Sequence, residues 1–131
     1  GMLGLTGVSS DMREIEEAKA SGNERAKMAL DIYNYKVKKY IGSYIAAMNG
    51  LDILILTGGI GENAVNTRKG VCSDLEWLGI EIDQEKNKAV QGVESIISTD
   101  QSKVKVLIVP TDEELMIALD TEKIVRERVK S

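Results

Sequence analysis

The chain has 131 residues, 43% of them hydrophobic and 29% charged, which suits one globular domain. Its net charge of −4 and its lack of a basic cluster argue against a nucleic-acid surface, and its apolar runs are too short to span a bilayer. It has no histidine and one cysteine, Cys72, so it forms no internal disulfide and lacks the commonest general base. We therefore expect a cytoplasmic protein without nucleic-acid or membrane partners, whose chemistry uses carboxylates, Lys or Arg, main-chain amides or Mg²⁺.

Two helices are predicted in the first half of the chain. Asp11 and Glu14 have the spacing of a capping box, which predicts a short helix from Met12 to Ala20. From Glu24 to residues 49–50, apolar residues recur every three or four positions, which predicts a long amphipathic helix with one buried stripe. The predicted stripe consists of Ala26, Leu30, Tyr33, Val37, Tyr40, Ile41, Tyr44, Ile45 and Met48, and the predicted solvated side carries Lys36, Lys38 and Lys39.

Two segments, residues 52–57 and 104–109, predict strands. Both are continuous in Ile, Leu and Val, which is typical of parallel strands buried on both faces by helices. Between them the pattern predicts a helix over residues 62–78 and two weak strands at 79–83 and 95–98. A last helix is predicted from about residue 112 to residue 119 or as far as 128. The predicted fold class is therefore α/β, with mostly parallel strands, and two strong strands indicate the tail of a larger sheet.

Residues 57–64 (TGGIGENA) follow the first strand, and their glycines allow main-chain N–H groups to approach a phosphate or nucleotide. Two other interpretations stay open. The glycines could serve only close packing in a tight turn. Alternatively, Gly59-x-Gly61-x-x-Ala64 fits the fingerprint of a Rossmann-type NAD site, with Asp83 about 20 residues later as the ribose-binding acid. Residues 79–82 make a poor central strand, which argues against the NAD site.

Acidic residues at the starts of two predicted helices are further candidates for binding a nucleotide or Mg²⁺. Asp11 and Arg13 could reach the ribose and adenine of a nucleotide, although such a pair usually only caps a helix. Residues 112–114 follow the second strong strand, where sites assemble in open α/β sheets, so a carboxylate there could hold Mg²⁺. Thr111 and Glu114 also have the spacing of a capping box.

Three segments in this order resemble motifs of acetate kinase and its propionate and butyrate kinase relatives. They are GVSSDMREIE (residues 7–16), LTGGIGENAVNTR (56–68) and VLIVPTDEEL (106–115). The resemblance implies part of a ribonuclease-H-like domain of the acetate and sugar kinase, Hsc70 and actin superfamily. It also implies an adenosine pocket and a nucleotide contact formed by Asp11, Met12, Arg13, Gly58, Gly59, Ile60, Gly61, Glu62 and Asn63, and it makes Glu113 the Mg²⁺-associated carboxylate.

The family transfers the γ-phosphoryl group of ATP reversibly to acetate, giving acetyl phosphate and ADP. Its members are much longer, and the resemblance covers only their C-terminal part, taken here as residues 2–131 because Gly1 resembles a tag remnant. We therefore assign no catalytic residue and expect no turnover by the chain alone. The resemblance implies ATP or ADP and Mg²⁺ as its ligands. A short-chain carboxylate would bind only if the upstream part completes the site.

One alternative is a non-catalytic module that binds nucleotide or a partner. An exposed edge of the parallel sheet would then favour a homodimer or a complementary chain.

Overall fold

A computed structural model of the chain describes residues 1–129, apart from the side chains of Glu113 and Val129. Its helices are α1 (Met2–Thr6), α2 (Met12–Ala20), α3 (Glu24–Met48), α4 (Gly58–Asn63), α5 (Val65–Cys72), α6 (Gln84–Ala89) and α7 (Glu113–Val129), and a 3₁₀ turn spans Glu76–Leu78. Its strands are β1 (Ile53–Leu56), β2 (Ser95–Ile96) and β3 (Lys105–Ile108). None of these described helices combines the length and apolar character needed to cross a membrane.

The two helices predicted in the first half are confirmed, and their caps explain where they begin. The Asp11 carboxylate accepts a hydrogen bond from the Arg13 main-chain N–H at 2.8 Å, which fixes the start of α2. The Asn23 side chain accepts one from the Ala26 N–H at 3.0 Å and starts α3. Helix α3 ends at Asn49, whose φ of 60° lies in the left-handed region that stops helices.

The three strands form one mixed sheet in the order β1-β3-β2. Strand β1 pairs in parallel with β3, as predicted for the two strong strands, and β2 pairs antiparallel with β3. Leu54 and Leu56 pack on the core side of β1. The prediction that β1 is buried on both faces is wrong, because Ile53 and Ile55 are 47% and 55% exposed on the other side.

The main core lies between one face of the sheet and helices α3 and α5. Its buried members are Ile41, Val71, Cys72, Leu75, Ile80, Ile97, Val104, Val106 and Ile108. A smaller core joins α2 to the first turns of α3 through Met12, Ile15, Ala26 and Leu30. Both cores use the predicted stripe of α3, so the amphipathic pattern of that helix is confirmed from Ala26 to Val37 and again at Ile41 and Ile45.

The stripe is wrong at the end of α3, where Tyr40, Tyr44 and Met48 are exposed. The main core reaches Ile41 and Ile45 but does not extend to the last turn of the helix. Lys38 also departs from its predicted solvated position. It is half-buried, and its Nζ donates hydrogen bonds to Ser73 Oγ at 2.9 Å and to the Asp74 carboxylate at 3.2 Å.

The segment between the strong strands differs most from prediction. The single helix predicted over residues 62–78 is divided into α4, α5 and the 3₁₀ turn, because the backbone leaves helical geometry at Ala64 (φ −89°, ψ 84°). Residues 79–83 form no strand and contribute one antiparallel bridge, from Ile82 to Ser98. The predicted strand at 95–98 is the short β2, and α6, which was not predicted, begins at the Asp83 cap.

The last helix extends beyond residue 119, as the longer of the two predicted spans allows. Its predicted cap is wrong. The Asp112 carboxylate, rather than Thr111, accepts the Leu115 N–H at 2.8 Å. Thr111 is engaged elsewhere, because its N–H and hydroxyl both donate to the Glu62 carboxylate.

Candidate nucleotide-binding site

A groove of about 770 Å³ separates the start of α2 from the glycine-rich segment, residues 58–63. The residues that line it are Ser10, Asp11, Met12, Arg13, Glu16, Gly59, Ile60, Asn63, Ala64 and Gln91. The structure therefore brings together two of the three segments that the sequence singles out, although more than 40 residues separate them along the chain. Its volume lies within the ~300–1,000 Å³ range of small-molecule sites.

The α2 side of the groove carries an ion pair. Arg13 Nη2 lies 2.8 Å from Asp11 Oδ2, and Arg13 Nε also donates to Asp11 Oδ1 at 3.3 Å. The hydrogen bond from the Arg13 side chain is the main cause that lowers the pKa of Asp11 to about 2, and the Arg13 main-chain N–H adds to it. Asp11 is therefore ionised at neutral pH. Met12 points mainly into the smaller core, so only part of its side chain can reach the groove.

The glycines of the glycine-rich segment fall into two groups. A Cβ on Gly61 would lie 2.9 Å from the main-chain carbonyl carbon of Leu56, so Gly61 is required for close packing against β1. A Cβ on Gly58 or Gly59 would meet nothing within 4 Å, although the positive φ of Gly58 (72°) still favours glycine there. The packing interpretation of the motif is therefore confirmed at Gly61, and nucleotide contact at Gly59 stays a prediction. Packing explains Gly61, and open space remains beside Gly59.

Glu62 and Asn63 do not face the groove equally. Asn63 lines it and donates a hydrogen bond from Nδ2 to the Gly59 carbonyl at 3.1 Å. Glu62 is absent from the lining, and its Oε1 accepts hydrogen bonds from Thr111 N at 2.9 Å and Thr111 Oγ1 at 3.1 Å. The Glu62 carboxylate therefore links the glycine-rich segment to the third motif.

The candidate Mg²⁺ residue, Glu113, begins α7 two residues after Thr111, and its side chain lies outside the described residues. Its metal role stays a prediction. The described residues contain no group of three or more His, Cys, Asp or Glu side chains arranged to hold a metal ion. The link from Glu62 to Thr111 places the backbone of this segment beside the glycine-rich segment.

Arg68 is a supporting residue that the sequence reasoning missed. Its side chain is 1% exposed, and it donates to main-chain carbonyls on two sides. Nη1 donates to Gly61 O and Glu62 O at 3.1 and 2.8 Å. The other nitrogens donate to Asn87 Oδ1, Asn87 O and Val90 O at 2.7, 2.8 and 2.9 Å. Burial lowers the pKa of this guanidinium. Arg68 thus fixes the last turn of α4 to α6.

No local pattern marks Arg68 as buried, because an arginine on a short helix is usually exposed. Nothing in the sequence pattern indicated that Gln91 lines the groove, because it follows α6 in a stretch without a clear pattern. Ser10 and Glu16 lie inside the first quoted motif, and their place in the groove follows from the same helix start.

Asp83 does not have the position that a Rossmann-type site requires. Its carboxylate caps α6, accepting the Glu85 and Lys86 N–H groups at 2.9 and 3.0 Å. The main-chain hydrogen bond from Lys86 is the main cause that lowers its pKa. The neighbour of β1 in the sheet is β3, not a strand leading to Asp83. The arrangement does not favour an NAD site.

The fold places the chain in the ribonuclease-H-like class, to which the following solved kinases belong. The structure of the chain is similar to the crystal structure of Porphyromonas gingivalis acetate kinase, with a TM-score of 0.85 and 54% identity over 95% of this chain and 31% of that chain. It is also similar to Entamoeba histolytica acetate kinase, with a TM-score of 0.84 and 33% identity over 96% of this chain and 33% of the other. The predicted fold class and family resemblance are therefore confirmed.

The chain belongs to the Acetokinase family, whose sequence model matches residues 1–119. Among curated relatives, the acetate kinase of Parabacteroides distasonis is 57% identical over 128 residues, which are 98% of this chain and 32% of the relative. That of Phocaeicola vulgatus is 60% identical over 121 residues, 92% of this chain and 30% of the relative. The chain thus spans about a third of the length of these kinases.

Proposed function

We propose that the chain is the ATP-binding part, corresponding to the C-terminal portion, of an acetate-kinase-type phosphotransferase. The observation that carries the proposal is the groove, in which residues 11–13 face the glycine-rich segment across a space large enough for a nucleoside. The names of the relatives supply the reaction class, because each of the similar kinases described above is an acetate kinase.

The adenosine would lie between the start of α2 and Gly59. Asp11 is an ionised acceptor suited to ribose hydroxyls, and Arg13 is a planar cation that can stack on a base. Ile60 and Ala64 add apolar surface on the opposite wall. Gly59 leaves room for the ligand to approach the main chain.

The same groove explains why we expect no turnover by the chain alone. Phosphoryl transfer needs positive charge around the transferred group and alignment of the acceptor. Arg13 is the one cation among the lining residues, and it is paired with Asp11, while Glu16 adds a second negative charge. The charge of the phosphates must therefore be balanced by Mg²⁺, with Glu113 as its candidate carboxylate, and by residues outside this chain.

The proposal is tested by isothermal titration of MgATP, MgADP and NAD into the purified chain and two glycine variants. We expect MgATP and MgADP to bind and NAD to bind at least tenfold more weakly. Gly59→Ala should keep the melting temperature of the chain, because its Cβ has free space, but weaken nucleotide binding at least tenfold. Gly42→Ala, in α3 and outside the groove lining, is the matched control, because its Cβ also meets nothing within 4 Å, and it should leave nucleotide binding unchanged.

Two results would contradict the proposal. One is the absence of saturable binding of either adenine nucleotide to the folded chain. The other is a Gly59→Ala variant that binds MgATP as tightly as the wild type, since the open space beside Gly59 would then have no role in binding.

A further inference from the structure

Gln91 lines the groove but takes no part in the nucleotide contacts proposed above. Its side chain is exposed, and no hydrogen bond holds it within the part of the chain that the structure describes. Two other polar groups of the lining are already engaged, because Arg13 pairs with Asp11 and Asn63 donates to the Gly59 carbonyl. A glutamine amide has two N–H donors and an acceptor oxygen. The groove therefore contains an amide whose donors and acceptor are available to a ligand.

The main chain holds Gln91 in place, although this residue belongs to no helix or strand. On one side, the Val90 carbonyl accepts a hydrogen bond from Arg68 Nη2 at 2.9 Å. On the other side, the Gly92 N–H donates to the Glu62 carbonyl at 3.3 Å. The loop after α6 is thus tied to α5 and α4 on both sides of Gln91. Because the main chain is already ordered, a ligand needs to fix only the side chain of this residue.

The position of Gln91 along the groove indicates which part of a nucleotide it meets. Helix α4 starts directly after β1, so Gly59 lies near the carboxyl end of the parallel strands, and Asn63 lies about 6 Å further along the helix. The loop of Gln91 adjoins the Asn63 end, because a Cβ on Gly92 would lie 3.6 Å from Asn63 Oδ1. In the proposed function, the phosphates lie at the strand end, where Glu113 begins α7. The base then lies at the Asn63 end, beside the Gln91 amide.

Most other groups of the lining do not distinguish one base from another. Ile60 and Ala64 offer apolar surface, and the Arg13 guanidinium can stack on a ring. Stacking tolerates every base, because each base has a π face. Discrimination between bases needs hydrogen bonds to their edges. The Gln91 amide can make such bonds.

We propose that Gln91 is a specificity-determining residue of the nucleotide site and that its amide hydrogen-bonds the edge of the adenine base. The amide oxygen accepts from the 6-amino group, and an amide N–H donates to the adjacent ring nitrogen N1. Glutamine makes the same donor and acceptor match with N6 and N7 of adenine in protein–DNA complexes. The inference rests on the proposed function, because it requires an adenine nucleotide in the groove.

The first test removes the contact from each side in turn. MgATP and the Mg²⁺ complex of purine riboside triphosphate, which lacks the 6-amino group, are titrated calorimetrically into the wild type and Gln91→Ala. We expect Gln91→Ala to bind MgATP about fivefold or more weakly. Loss of the 6-amino group should weaken binding at least fivefold in the wild type but less than twofold in Gln91→Ala, where its partner is already missing. A merely structural role for Gln91 would weaken the binding of both nucleotides equally.

The second test changes the base preference with Gln91→Glu. A carboxylate has only acceptors, so it matches the N1–H and 2-amino donors of guanine and repels the N1 lone pair of adenine. We expect the ratio of MgATP affinity to MgGTP affinity to fall at least tenfold from its wild-type value. The added negative charge acts on both triphosphates alike, so it does not alter this ratio.

Gln101→Ala and Gln101→Glu are the matched controls, because they make the same changes at an exposed glutamine outside the groove lining. They should leave both affinities within about twofold. Thermal melts should show wild-type melting temperatures for all four variants, since both glutamine side chains are exposed.

Several outcomes would overturn the role of Gln91. One is an affinity ratio that stays within twofold of the wild-type value in Gln91→Glu. Another is an equal effect of the 6-amino group in the wild type and Gln91→Ala. In a chain that binds MgATP, either result would leave the proposed function intact. A folded wild type without saturable MgATP binding would instead contradict the proposed function, and the role of Gln91 with it.

Discussion

Arg68 shows at the level of a single residue how a buried charge can serve structure without a carboxylate partner. Its guanidinium is satisfied by main-chain carbonyls and the Asn87 amide oxygen, and these groups tie α4 to α6. A planar side chain with five N–H donors fits this role, whereas lysine has only three donors on one atom.

Replacing Arg68 should therefore lower the free energy of unfolding. For Arg68→Met we expect the free energy of unfolding to fall by about 3 kcal/mol, because several buried carbonyls lose their donors. Arg68→Lys should lose less, since it keeps the charge and some donors. Urea denaturation followed by circular dichroism measures both. Lys69→Met, on the exposed side of α5, is the matched control and should change stability by less than about 0.5 kcal/mol. Equal losses at positions 68 and 69 would contradict this role.

The environment of Cys72 leads to a prediction about how the stability of the chain depends on pH. Burial raises the pKa of its thiol to about 11, against an ordinary value near 9, and Lys38 and Arg68 oppose this shift only in part. Since the unfolded chain loses the thiol proton near pH 9 and the folded chain keeps it to about pH 11, stability should fall as the pH rises through this interval.

The Cys72 contribution should reach on the order of 2 kcal/mol by pH 11. To isolate the effect of the thiol, the measurement compares urea denaturation of the wild type and Cys72→Ala at pH 8 and pH 10.5. The stability advantage of the wild type over the variant should shrink at the higher pH. An advantage that stays constant would show that the thiol ionises equally in both states.

Among the elements, those fixed by local chemistry could be predicted from the sequence. Asp11 and Asn23 accept main-chain N–H groups two or three residues away, so the starts of α2 and α3 depend only on neighbours in the chain. The assignment of β1 and β3 as strands likewise followed from their continuous runs of apolar residues. The exposure of Ile53 and Ile55 was not, because burial of a second face depends on segments far from β1.

The same contrast holds within the candidate site. The glycine-rich segment and the Asp11–Arg13 pair carry recognisable patterns, whereas the fold alone determines that they face each other across the groove. Glu62 illustrates what the sequence pattern could not predict. Its motif suggested contact with a nucleotide, but its carboxylate bonds to Thr111, a partner that only the parallel pairing of β1 and β3 brings near.

The hydrogen bonds between Glu62 and Thr111 connect α4 to the start of α7, and their contribution can be tested by substitution. For Glu62→Ala we expect amide exchange at Thr111 to accelerate about fivefold, corresponding to about 1 kcal/mol, because a charge-assisted hydrogen bond at an exposed position is lost. Glu62→Gln keeps an acceptor oxygen and should show a smaller effect. Glu94→Ala removes another exposed carboxylate and is the control. Exchange at Thr111 that is unchanged in Glu62→Ala would mean that the link does not order the start of α7.

At the scale of the whole molecule, the chain corresponds to about a third of the length of the acetate kinases it resembles. It has its own cores and a preformed groove, yet it leaves one sheet face and much of α7 bare. A small domain already buries a limited fraction of its surface, so the uncovered apolar area should make the isolated chain only moderately stable. The net charge of −4 adds no attraction for a polyphosphate.

These features lead to a prediction about activity. The isolated chain, given acetate and MgATP, should form acetyl phosphate at less than about 10⁻³ of the rate of intact Porphyromonas gingivalis acetate kinase, because positioning and charge stabilisation together supply most of the acceleration in phosphoryl transfer. Hydroxamate trapping of acetyl phosphate measures both rates, and intact Porphyromonas gingivalis acetate kinase is the control for the assay. Turnover by the isolated chain at a rate close to that of the intact kinase would contradict the inference that this chain alone cannot align acetate with the γ-phosphoryl group.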